Sequence, residues 1–369
     1  MIIKEVKTEN FRNLSPTSFI PSNGMNVIVG DNAQGKTNLI EAIYLFTGLR
    51  SFRNSKEKEF INFDKKFCNI EMDFETNREQ NIKIHFGESR KDKKIELNGV
   101  PIKGNSELFS KFKCVIFSPD YLNFIKGSPD IRRRFLDCAV SEIRVNYLKT
   151  LQTYNKLLAQ RNNIIKNYIK YNNLEEALYP WDTGLAKSGA YITVLRIDYL
   201  KKLKIAATEY YKGMSGGKEH FDFRYNSTIL SKYDKEIEYN KELINYYYER
   251  QKAFTKVDLK LGYTLNGIHR DDLIITLDDK PVKNFGSQGQ QRSCVLAIKL
   301  AESYILDYAF DDKPVMLLDD VFSELDVSRQ NFLLNNISGL QTIITCCDIN
   351  NTKQLKNGRI FEMKDGVLK

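Results

Sequence analysis

Short β-type patterns occupy both ends of the chain. Alternating apolar and polar residues, or runs of β-forming residues, occur at residues 2–6, 25–29, 67–74, 81–86, 93–97, 221–225 and 273–277. Asn98-Gly99 has the composition of a hairpin turn. Residues 315–318 are wholly apolar, as in a buried strand of a parallel sheet. These patterns predict strands, and residues 25–29 run directly into a loop that contains glycine.

A helical period replaces this alternation in the middle of the chain. Apolar residues recur three and four positions apart between residues 131 and 170, starting with Phe135 and Leu136. Further helical stretches are expected at residues 181–211 and 234–254. The pattern predicts an α/β lobe built from both ends of the chain, with a mainly α-helical lobe inserted between them.

The change from strand-type to helix-type patterns and back gives the expected lobe boundaries. We expect the first part of the α/β lobe at residues 1–118 and its second part at residues 256–369. The helical lobe is expected at residues 119–255, where a returning strand near residues 221–225 is also predicted.

Composition narrows the class of protein. Of the 369 residues, 42% are hydrophobic and 12% are aromatic, which is enough for sizeable cores and excludes wholesale disorder. The 56 Lys and Arg residues against 47 Asp and Glu leave a net charge of +9, which hints at a polyanionic partner without proving one. No apolar run approaches the roughly 20 residues of a spanning helix, and the start lacks an apolar signal core. We therefore expect a cytoplasmic protein that does not act at a membrane.

Cysteine usage points to the same compartment. The six cysteines show no C-x-x-C spacing and no metal-ligand cluster with the three histidines. This favours a reduced protein without a structural zinc ion.

A complete phosphate-binding loop follows residues 25–29. The motif G-x-x-x-x-G-K-[ST] is matched by Gly30, Asp31, Asn32, Ala33, Gln34, Gly35, Lys36 and Thr37. A helix start follows it at Asn38, so backbone amides and a helix N-terminus would face the phosphates. Lys36 would reach the terminal phosphates and Thr37 would bind Mg²⁺. A chance glycine turn is an improbable alternative, because both the motif and its strand–loop–helix context are complete. The sequence predicts binding of a nucleoside triphosphate.

An acidic pair ends the apolar segment at residues 315–318. Two carboxylates at the end of a buried strand require a cation or hydrogen bonds, so Asp319 is predicted to hold Mg²⁺ directly or through water. Asp320 is predicted to orient or deprotonate the attacking water. Alone, the pair could equally begin an ordinary loop; together with the phosphate loop it predicts a catalytic site of Lys36, Asp319 and Asp320.

A second turn precedes a helix expected at residues 293–308. Its S-x-G-Q-Q segment comprises Ser287, Gln288, Gly289, Gln290 and Gln291. In isolation, an ordinary N-cap would be the better interpretation. However, four motifs follow one another in the order found in ATP-binding-cassette heads. They are the phosphate loop, the S-x-G-Q-Q segment, the strand that ends in Asp-Asp, and a last segment of Ser323, Glu324, Leu325 and Asp326. In such heads the S-x-G-Q turn of one subunit completes the ATP site of another, which implies an ATP-dependent homodimer.

The chain resembles the RecF family of bacterial recombinational-repair proteins, which are SMC-type ATPases without the long coiled coil. Besides the motifs above, the resemblance rests on residues 10–13, 38–42, 50–53, 117–120, 126–129, 132–137, 160–162 and 269–272. Two departures are Ile268, where the family pattern has proline, and the absence of a switch histidine at residues 342–347.

The resemblance implies a fold and a function. The fold would be an ABC/SMC-type P-loop ATPase head with an inserted helical lobe, and the cofactors would be ATP and Mg²⁺. ATP-driven homodimerisation would clamp double-stranded DNA at ss/dsDNA junctions of gaps, and slow DNA-stimulated hydrolysis would release it. The partners would be RecR, together with RecO and RecA on strands coated by single-strand-binding protein, in replication restart and the SOS response. Arg12 and Asn13 are candidates for the adenine side of the site.

Residues 126–170 carry ten Lys and Arg residues against three Asp and Glu residues, a local charge of 10 − 3 = +7. Such a stretch could bind the backbone of duplex DNA without reading bases. A solvated helix face is the usual alternative, and Arg132 to Arg134 could instead pair with Asp137 or with the ATPase lobe. The DNA-binding candidates are Arg50, Arg53, Arg132, Arg133, Arg134, Arg144 and Lys149.

Two other functions fit the sequence less well. A nucleotide-binding subunit of a membrane transporter is disfavoured because Lys36 and Ser287 are 287 − 36 = 251 residues apart, too far for the compact transporter layout. A metabolic phosphotransferase would leave the S-x-G-Q-Q segment unexplained.

Overall fold

The strands predicted from the sequence patterns are present, and the structure adds others, among them those at Thr17–Phe19, Cys114–Phe117 and Thr342–Cys346. The computed structural model describes residues 1–49, 51–109, 111–347 and 358–369. The strands are β1 (Ile2–Glu9), β2 (Thr17–Phe19), β3 (Met25–Val29), β4 (Phe67–Glu75), β5 (Glu79–Gly87), β6 (Lys94–Leu97), β7 (Val100–Ile102), β8 (Cys114–Phe117), β9 (Phe221–Asn226), β10 (Asp272–Leu277), β11 (Lys280–Pro281), β12 (Val315–Asp319), β13 (Thr342–Cys346), β14 (Arg359–Lys364) and β15 (Val367–Leu368). The α-helices are α1 (Lys36–Leu45), α2 (Leu122–Lys126), α3 (Pro129–Ile143), α4 (Val145–Lys166), α5 (Leu174–Ser215), α6 (Lys241–Leu261), α7 (Val282–Phe285), α8 (Gln288–Phe310) and α9 (Val327–Asn336).

The chain divides into two compact units. The head unit comprises Met1–Ile125, Ala206–His220 and Gly286–Lys369, and the insertion unit comprises Lys126–Ile205 and Phe221–Phe285. The insertion unit thus starts at Lys126 rather than at residue 119 and extends to Phe285 rather than to residue 255. Strands β10 and β11 therefore belong to the insertion unit and not to the α/β lobe, where the sequence analysis had placed them.

The head unit contains two sheets. One has the order β2-β1-β4-β5-β6-β7 and is antiparallel throughout. Its strands alternate between buried and exposed residues, because one face packs on the core and the other faces solvent. The predicted Asn98-Gly99 turn joins β6 to β7, and both residues have the positive φ that such a turn requires.

The second sheet positions the site. Its order is β15-β14-β3-β13-β12-β8, and the neighbouring strands from β14 to β8 run parallel. Every residue of β8, β12 and β13 is buried, which confirms the buried strand predicted from the apolar run at residues 315–318. The register pairs Val29 with Cys346 and Thr345 with Asp319. The carboxyl ends of β3, β13 and β12 therefore meet at one edge of the sheet.

The insertion unit is mainly helical, with a three-stranded sheet of order β11-β10-β9. The single helical stretch expected at residues 131–170 is two helices, α3 and α4, separated at Arg144. Arg161 is fully buried and pairs with Asp182 at 2.5 Å and with Asp258 at 2.6 Å. A second fully buried arginine, Arg196, donates to Asp137 at 2.7 Å. The core of this unit is thus partly ionic, and both buried arginines are paired with carboxylates, as burial requires.

Candidate nucleotide site

The phosphate loop joins β3 to α1 as the sequence predicts, and close packing explains both of its glycines. A Cβ atom on Gly30 would lie 2.2 Å from the backbone oxygen of Met363. Gly35 has φ +114°, and a Cβ there would lie 2.8 Å from Leu14 Cδ2. On its other side, the loop accepts a 3.0 Å hydrogen bond from the Gly366 amide to the Gln34 oxygen. The loop is therefore held between the β14–β15 turn and the segment after β1.

Lys36 is buried at the base of this loop. Its side chain is 6% exposed, and Nζ donates hydrogen bonds to the carbonyl oxygens of Gly30 and, at 2.8 Å, of Asp31. Nζ also lies 3.7 Å from Cys347 Sγ, which follows the end of β13. The ammonium group is thus directed at the loop interior.

Asp319 is the buried carboxylate at the end of β12. Its Oδ1 accepts hydrogen bonds from Thr37 Oγ1 at 2.9 Å and from Thr345 Oγ1 at 2.7 Å. Burial raises the pKa of the Asp319 carboxyl above its ordinary value, while these two hydroxyls act in the opposite direction. The structure therefore brings together the two residues that the sequence analysis assigned to Mg²⁺, Thr37 and Asp319.

Thr345 is a site residue that the sequence analysis missed. Besides donating to Asp319, its hydroxyl accepts a 3.0 Å hydrogen bond from the Asp320 amide. Asp320 itself has φ +52°, a left-handed conformation that Asp tolerates better than most residues. The sequence offered no direct signal for Thr345, because its role depends on β13 lying next to β12 in the parallel sheet. Thr345 fixes both residues of the acidic pair.

A cleft of about 390 Å³ opens over these groups. It is lined by residues 32–38, the acidic pair and Thr345, together with Asn13, Arg53 and Cys347. Cys347 ends the segment 342–347 that lacks a switch histidine, and it contacts Asn32 Oδ1 at 3.0 Å. The cleft is polar and open, as a site for a phosphorylated ligand requires.

The two adenine-side candidates differ in position. Asn13 lines the cleft and donates to the Ala33 oxygen at 3.0 Å. Arg12 instead pairs with the fully buried Glu41 and donates to Ser55 Oγ at 2.6 Å. Among the described residues, Asn13 but not Arg12 belongs to the lining of the cleft.

The S-x-G-Q-Q turn begins α8. This helix starts at Gln288 and not at Ser293 as expected, because Ser287 and Gln290 form a reciprocal capping box. Gln290 Nε2 also donates to Glu219 Oε1 at 2.6 Å. Ser287 and Gln288 are exposed. The ordinary N-cap that the sequence analysis weighed is therefore present, on an exposed helix N-terminus.

The segment after the acidic pair is held in place by its own contacts. Ser323 Oγ donates to the Asp320 oxygen at 2.8 Å, and Glu324 pairs with Arg292 of α8. Leu325 is buried, while Asp326 caps α9 by accepting from the Arg329 amide at 3.0 Å.

The basic residues named as DNA-binding candidates differ in burial and in their partners. In the insertion unit, Arg132 is buried and pairs with Asp272 at 2.7 Å, and Arg133 donates to the Asp271 oxygen at 2.8 Å. Asp137 is bound by Arg196 at 2.7 Å. For Arg132, this arrangement favours the structural alternative.

The remaining DNA-binding candidates differ in exposure and in position. Arg144 and Lys149 are exposed, and Arg134 is half-buried. Arg53 lines the nucleotide cleft, where it donates to Asn38 Oδ1 at 2.9 Å, and Arg50 lies outside the described residues.

Residues 1–49, 51–109, 111–347 and 358–369 contain no group of three or more His, Cys, Asp or Glu side chains placed to share a metal ion. Within the same ranges, every helix is too short or too polar to cross a bilayer.

Comparisons with known proteins agree with this architecture. The sequence matches the family described as RecF/RecN/SMC N terminal domain over residues 2–368. It is 36% identical over 373 residues to the DNA replication and repair protein RecF of Lachnoclostridium phytofermentans, covering 100% of this chain and 99% of that protein. The chain belongs to the RecF family. The RecF protein of Agathobacter rectalis is 39% identical over 347 residues, covering 94% of this chain and 92% of that protein. The family resemblance that the motifs predicted is therefore confirmed, and with it a place among DNA replication and repair proteins.

Solved structures confirm the predicted fold class. A RecF recombination mediator of the RecFOR pathway, solved with ATP, has a TM-score of 0.90 and 34% identity, covering 100% of this chain and 97% of that chain. An Smc head domain from Pyrococcus furiosus has a TM-score of 0.56 at 18% identity, covering 100% of this chain and 95% of that chain, which shows a shared fold only. The RecF-family chain therefore has the fold of an ABC/SMC-type ATPase head with an inserted helical unit.

Proposed function

We propose that this chain is an ATP-dependent DNA-binding protein of recombinational repair, in which ATP drives formation of a homodimer. The observation that carries the proposal is the meeting of Lys36, Thr37, Asp319 and Asp320 at the carboxyl ends of parallel strands, beside an open polar cleft. The S-x-G-Q-Q turn is exposed on the same unit, which leaves it available to a second copy.

ATP binding follows from the chemistry of the cleft. The phosphate loop supplies backbone amides and the N-terminus of α1, and Lys36 supplies the positive charge. Nζ of Lys36 would exchange its two carbonyl acceptors for phosphate oxygens, which are stronger acceptors because they are charged. The solved RecF structure named above was obtained with ATP, which supports this choice of ligand.

The Thr37 hydroxyl and the Asp319 carboxylate fit Mg²⁺. They are hard oxygen donors 2.9 Å apart, and Mg²⁺ is commonly held by one or two protein ligands together with water and substrate phosphates. When bound, the ion would neutralise charge that develops on the phosphates. Thr345 would keep Asp319 oriented by its 2.7 Å hydrogen bond.

Asp320 is proposed to position the attacking water. Its backbone is fixed by the Thr345 hydroxyl on one side and by Ser323 on the other. ATP hydrolysis is proposed to be slow and stimulated by DNA. It would then switch the protein between its DNA-bound and released states and would not consume ATP rapidly. Residues 342–347, the segment in which transporters carry a switch histidine, contain no histidine, and Cys347 at the end of this segment lines the cleft.

Dimer closure would use the exposed end of α8. Ser287 and Gly289 lie at a helix N-terminus, which favours an anion, and in a second copy they would face the terminal phosphate of bound ATP. The preference of ATP for the closed dimer would shift the population toward it.

The DNA ligand is proposed to be a duplex at the ss/dsDNA junction of a gap, contacted through its phosphates. Exposed Arg144 and Lys149 of the insertion unit are the candidates best placed for solvent access. The role in the cell is proposed from the family: action with RecR and RecO to load RecA, in replication restart and the SOS response, within the cytoplasm.

The test is duplex binding measured by fluorescence anisotropy with ATP, with ADP and without nucleotide. The proposal predicts tight binding only with ATP and Mg²⁺, and its loss in Lys36→Ala. Equal duplex affinity in all three conditions would overturn the coupling between nucleotide and DNA.

A further inference from the structure

An aromatic side chain stands fully in solvent beside the antiparallel sheet of the head unit. Phe63 has a relative exposure of 105%. Its turn is nevertheless well tied, because the Lys65 amide donates to the Asn62 oxygen at 2.9 Å, closing a β-turn around Phe63 and Asp64. Asn62 in turn donates from its amide to the Asn10 oxygen at 2.9 Å. The exposed Phe63 ring therefore lies on an ordered, hydrogen-bonded turn.

A second aromatic group lies at the start of the adjoining strand. Phe67 and Asn69 point to the outer face of β4, and the register places His85 opposite Asn69 and Lys94 opposite His85. The Phe67 ring stacks on His85 with centroids 5.7 Å apart and an angle of 22°. We call Phe63, Phe67 and His85, with Lys65, Lys66 and Lys94, the aromatic corner.

The charge of the aromatic corner is positive. Its three lysines are exposed, and within the described part of the chain no carboxylate lies in ion-pair distance of their Nζ atoms. Asp64 is the acid on the turn itself. Farther along the outer face of β4, the carboxylates of Glu71 and Asp73 accept from Asn81. Glu9 of the neighbouring strand accepts from Asn69 at 2.6 Å, so three lysines face two nearby carboxylates, Asp64 and Glu9, and the corner is a cationic, aromatic end of an otherwise acidic strand face.

We propose that the aromatic corner binds single-stranded DNA, with unpaired bases stacking on Phe63 and Phe67 and the lysines contacting phosphates. Bases stack on exposed rings irrespective of sequence, and cations beside the rings follow the backbone. A duplex offers few free base faces, so this surface differs in its ligand from the proposed duplex contacts of the insertion unit. The inference rests on the proposed function only in that DNA is taken as the polymer bound.

The main experiment measures binding of a labelled 20-nucleotide single strand by anisotropy to the full chain and to Phe63→Ala. Phe63 is fully exposed, so its removal does not affect the core. Affinity for the single strand is expected to fall at least about tenfold in this variant and further in Phe63→Ala/Phe67→Ala. The matched control is Ile20→Ala, which removes another exposed apolar side chain of the head unit and should leave binding unchanged.

A second ligand separates stacking from charge. A strand of the same length with abasic sites keeps its phosphates but has no bases; it should bind weakly, and Phe63→Ala should not weaken it further. Lys65→Ala/Lys66→Ala should make the slope of log affinity against log salt shallower by roughly one unit. Unchanged single-strand affinity in Phe63→Ala, or equally tight binding of the abasic strand, would overturn the proposal.

Two further measurements test lipid vesicles and duplex DNA as ligands. Phe63→Ala could weaken binding to anionic lipid vesicles and leave the affinity for the single strand unchanged. That result would identify a lipid-binding surface and overturn the proposal. ATP-dependent duplex binding should be unchanged in Phe63→Ala. The unmodified protein could fail to bind duplex DNA and still bind the single strand in a Phe63-dependent way. That result would overturn the proposed function but support single-strand binding at the aromatic corner.

Discussion

Thr37 Oγ1 donates a 2.9 Å hydrogen bond to Asp319 Oδ1, although 282 positions separate the two residues in the chain. The contact exists because β3 and β12 are both neighbours of β13 in a parallel sheet, so that the phosphate loop and the acidic pair leave the same edge. Two ends of the chain therefore build one site, and the segment between them can form a separate unit without interrupting it.

Thr345→Val tests the residue that holds the acidic pair. Valine keeps the volume but removes the hydroxyl that contacts Asp319 and the Asp320 amide. ATP hydrolysis should fall about tenfold or more, because a hydrogen bond to a charged group is lost. Steady-state phosphate release measures this. Thr342→Val on the same strand, whose hydroxyl contacts Leu340, should hydrolyse ATP normally; an equal loss in both variants would contradict the assigned role.

Lys36→Ala should abolish productive ATP binding. The buried ammonium is the positive charge directed into the phosphate loop, and its loss should weaken ATP binding at least about 100-fold. Isothermal titration measures the affinity, with exposed Lys364→Ala as the control. ATP affinity similar to that of the unmodified protein would show that the loop does not bind phosphate as described.

Asp320→Asn should trap the ATP-bound dimer. The amide keeps the size of the side chain and tolerates the positive φ, but it cannot accept a proton from water. Hydrolysis should fall at least about 100-fold while the dimer persists with ATP. Asp279→Asn is a matched control, since Asp279 also has positive φ but lies on an exposed turn. A fully active Asp320→Asn would remove Asp320 from the chemistry.

Ser287→Arg should prevent dimer closure without preventing ATP binding. The side chain is exposed at the N-terminus of α8, where a bulky cation would meet the second copy. ATP affinity of the monomer should stay within about threefold, as for most surface changes. Light scattering with ATP reports the mass, and Asn77→Arg on an exposed turn controls for added charge. An ATP-dependent dimer of normal strength in Ser287→Arg would contradict the cassette-type arrangement.

His269 makes the stability of the insertion unit sensitive to acid. Burial lowers its pKa to about 4, and nearby Arg270, Arg133 and Arg161 act in the same direction. Its ring accepts from Tyr154 at 2.8 Å and donates to the Thr264 oxygen at 3.1 Å in the neutral tautomer that these partners favour.

Between pH 6.5 and about 4 the unfolded chain binds a proton that the folded chain does not, so stability falls as the pH is lowered through this window. The loss attributable to His269 should reach about 3 kcal/mol at the lower end. Urea unfolding at pH 7 and pH 4.5 of the unmodified protein and of His269→Gln measures the difference. An identical pH dependence in both would contradict it.

Local patterns predicted the parts of the site that are continuous in sequence. The phosphate loop, β12 and the acidic pair lie as expected because glycine spacing and apolar runs act over a few residues. The first turn of α8 could also have been predicted, since Ser287 and Gln290 have the spacing of a capping box.

Residues that depend on distant partners could not be assigned. Arg161 counted toward the basic stretch, yet it is buried between carboxylates 21 and 97 positions away. Thr345 acquires its role only through the strand order that places β13 between β3 and β12. The boundary at Ile205 lies within the continuous helix α5, where no change of composition marks it.

Sedimentation velocity of the protein with ATP and Mg²⁺, with and without a short duplex, tests the central claim most directly. The account predicts a monomer without nucleotide, a dimer with ATP, and co-sedimentation of the duplex with the dimer alone. A chain that stays monomeric with ATP, or that carries the duplex equally without it, would contradict the proposed switch.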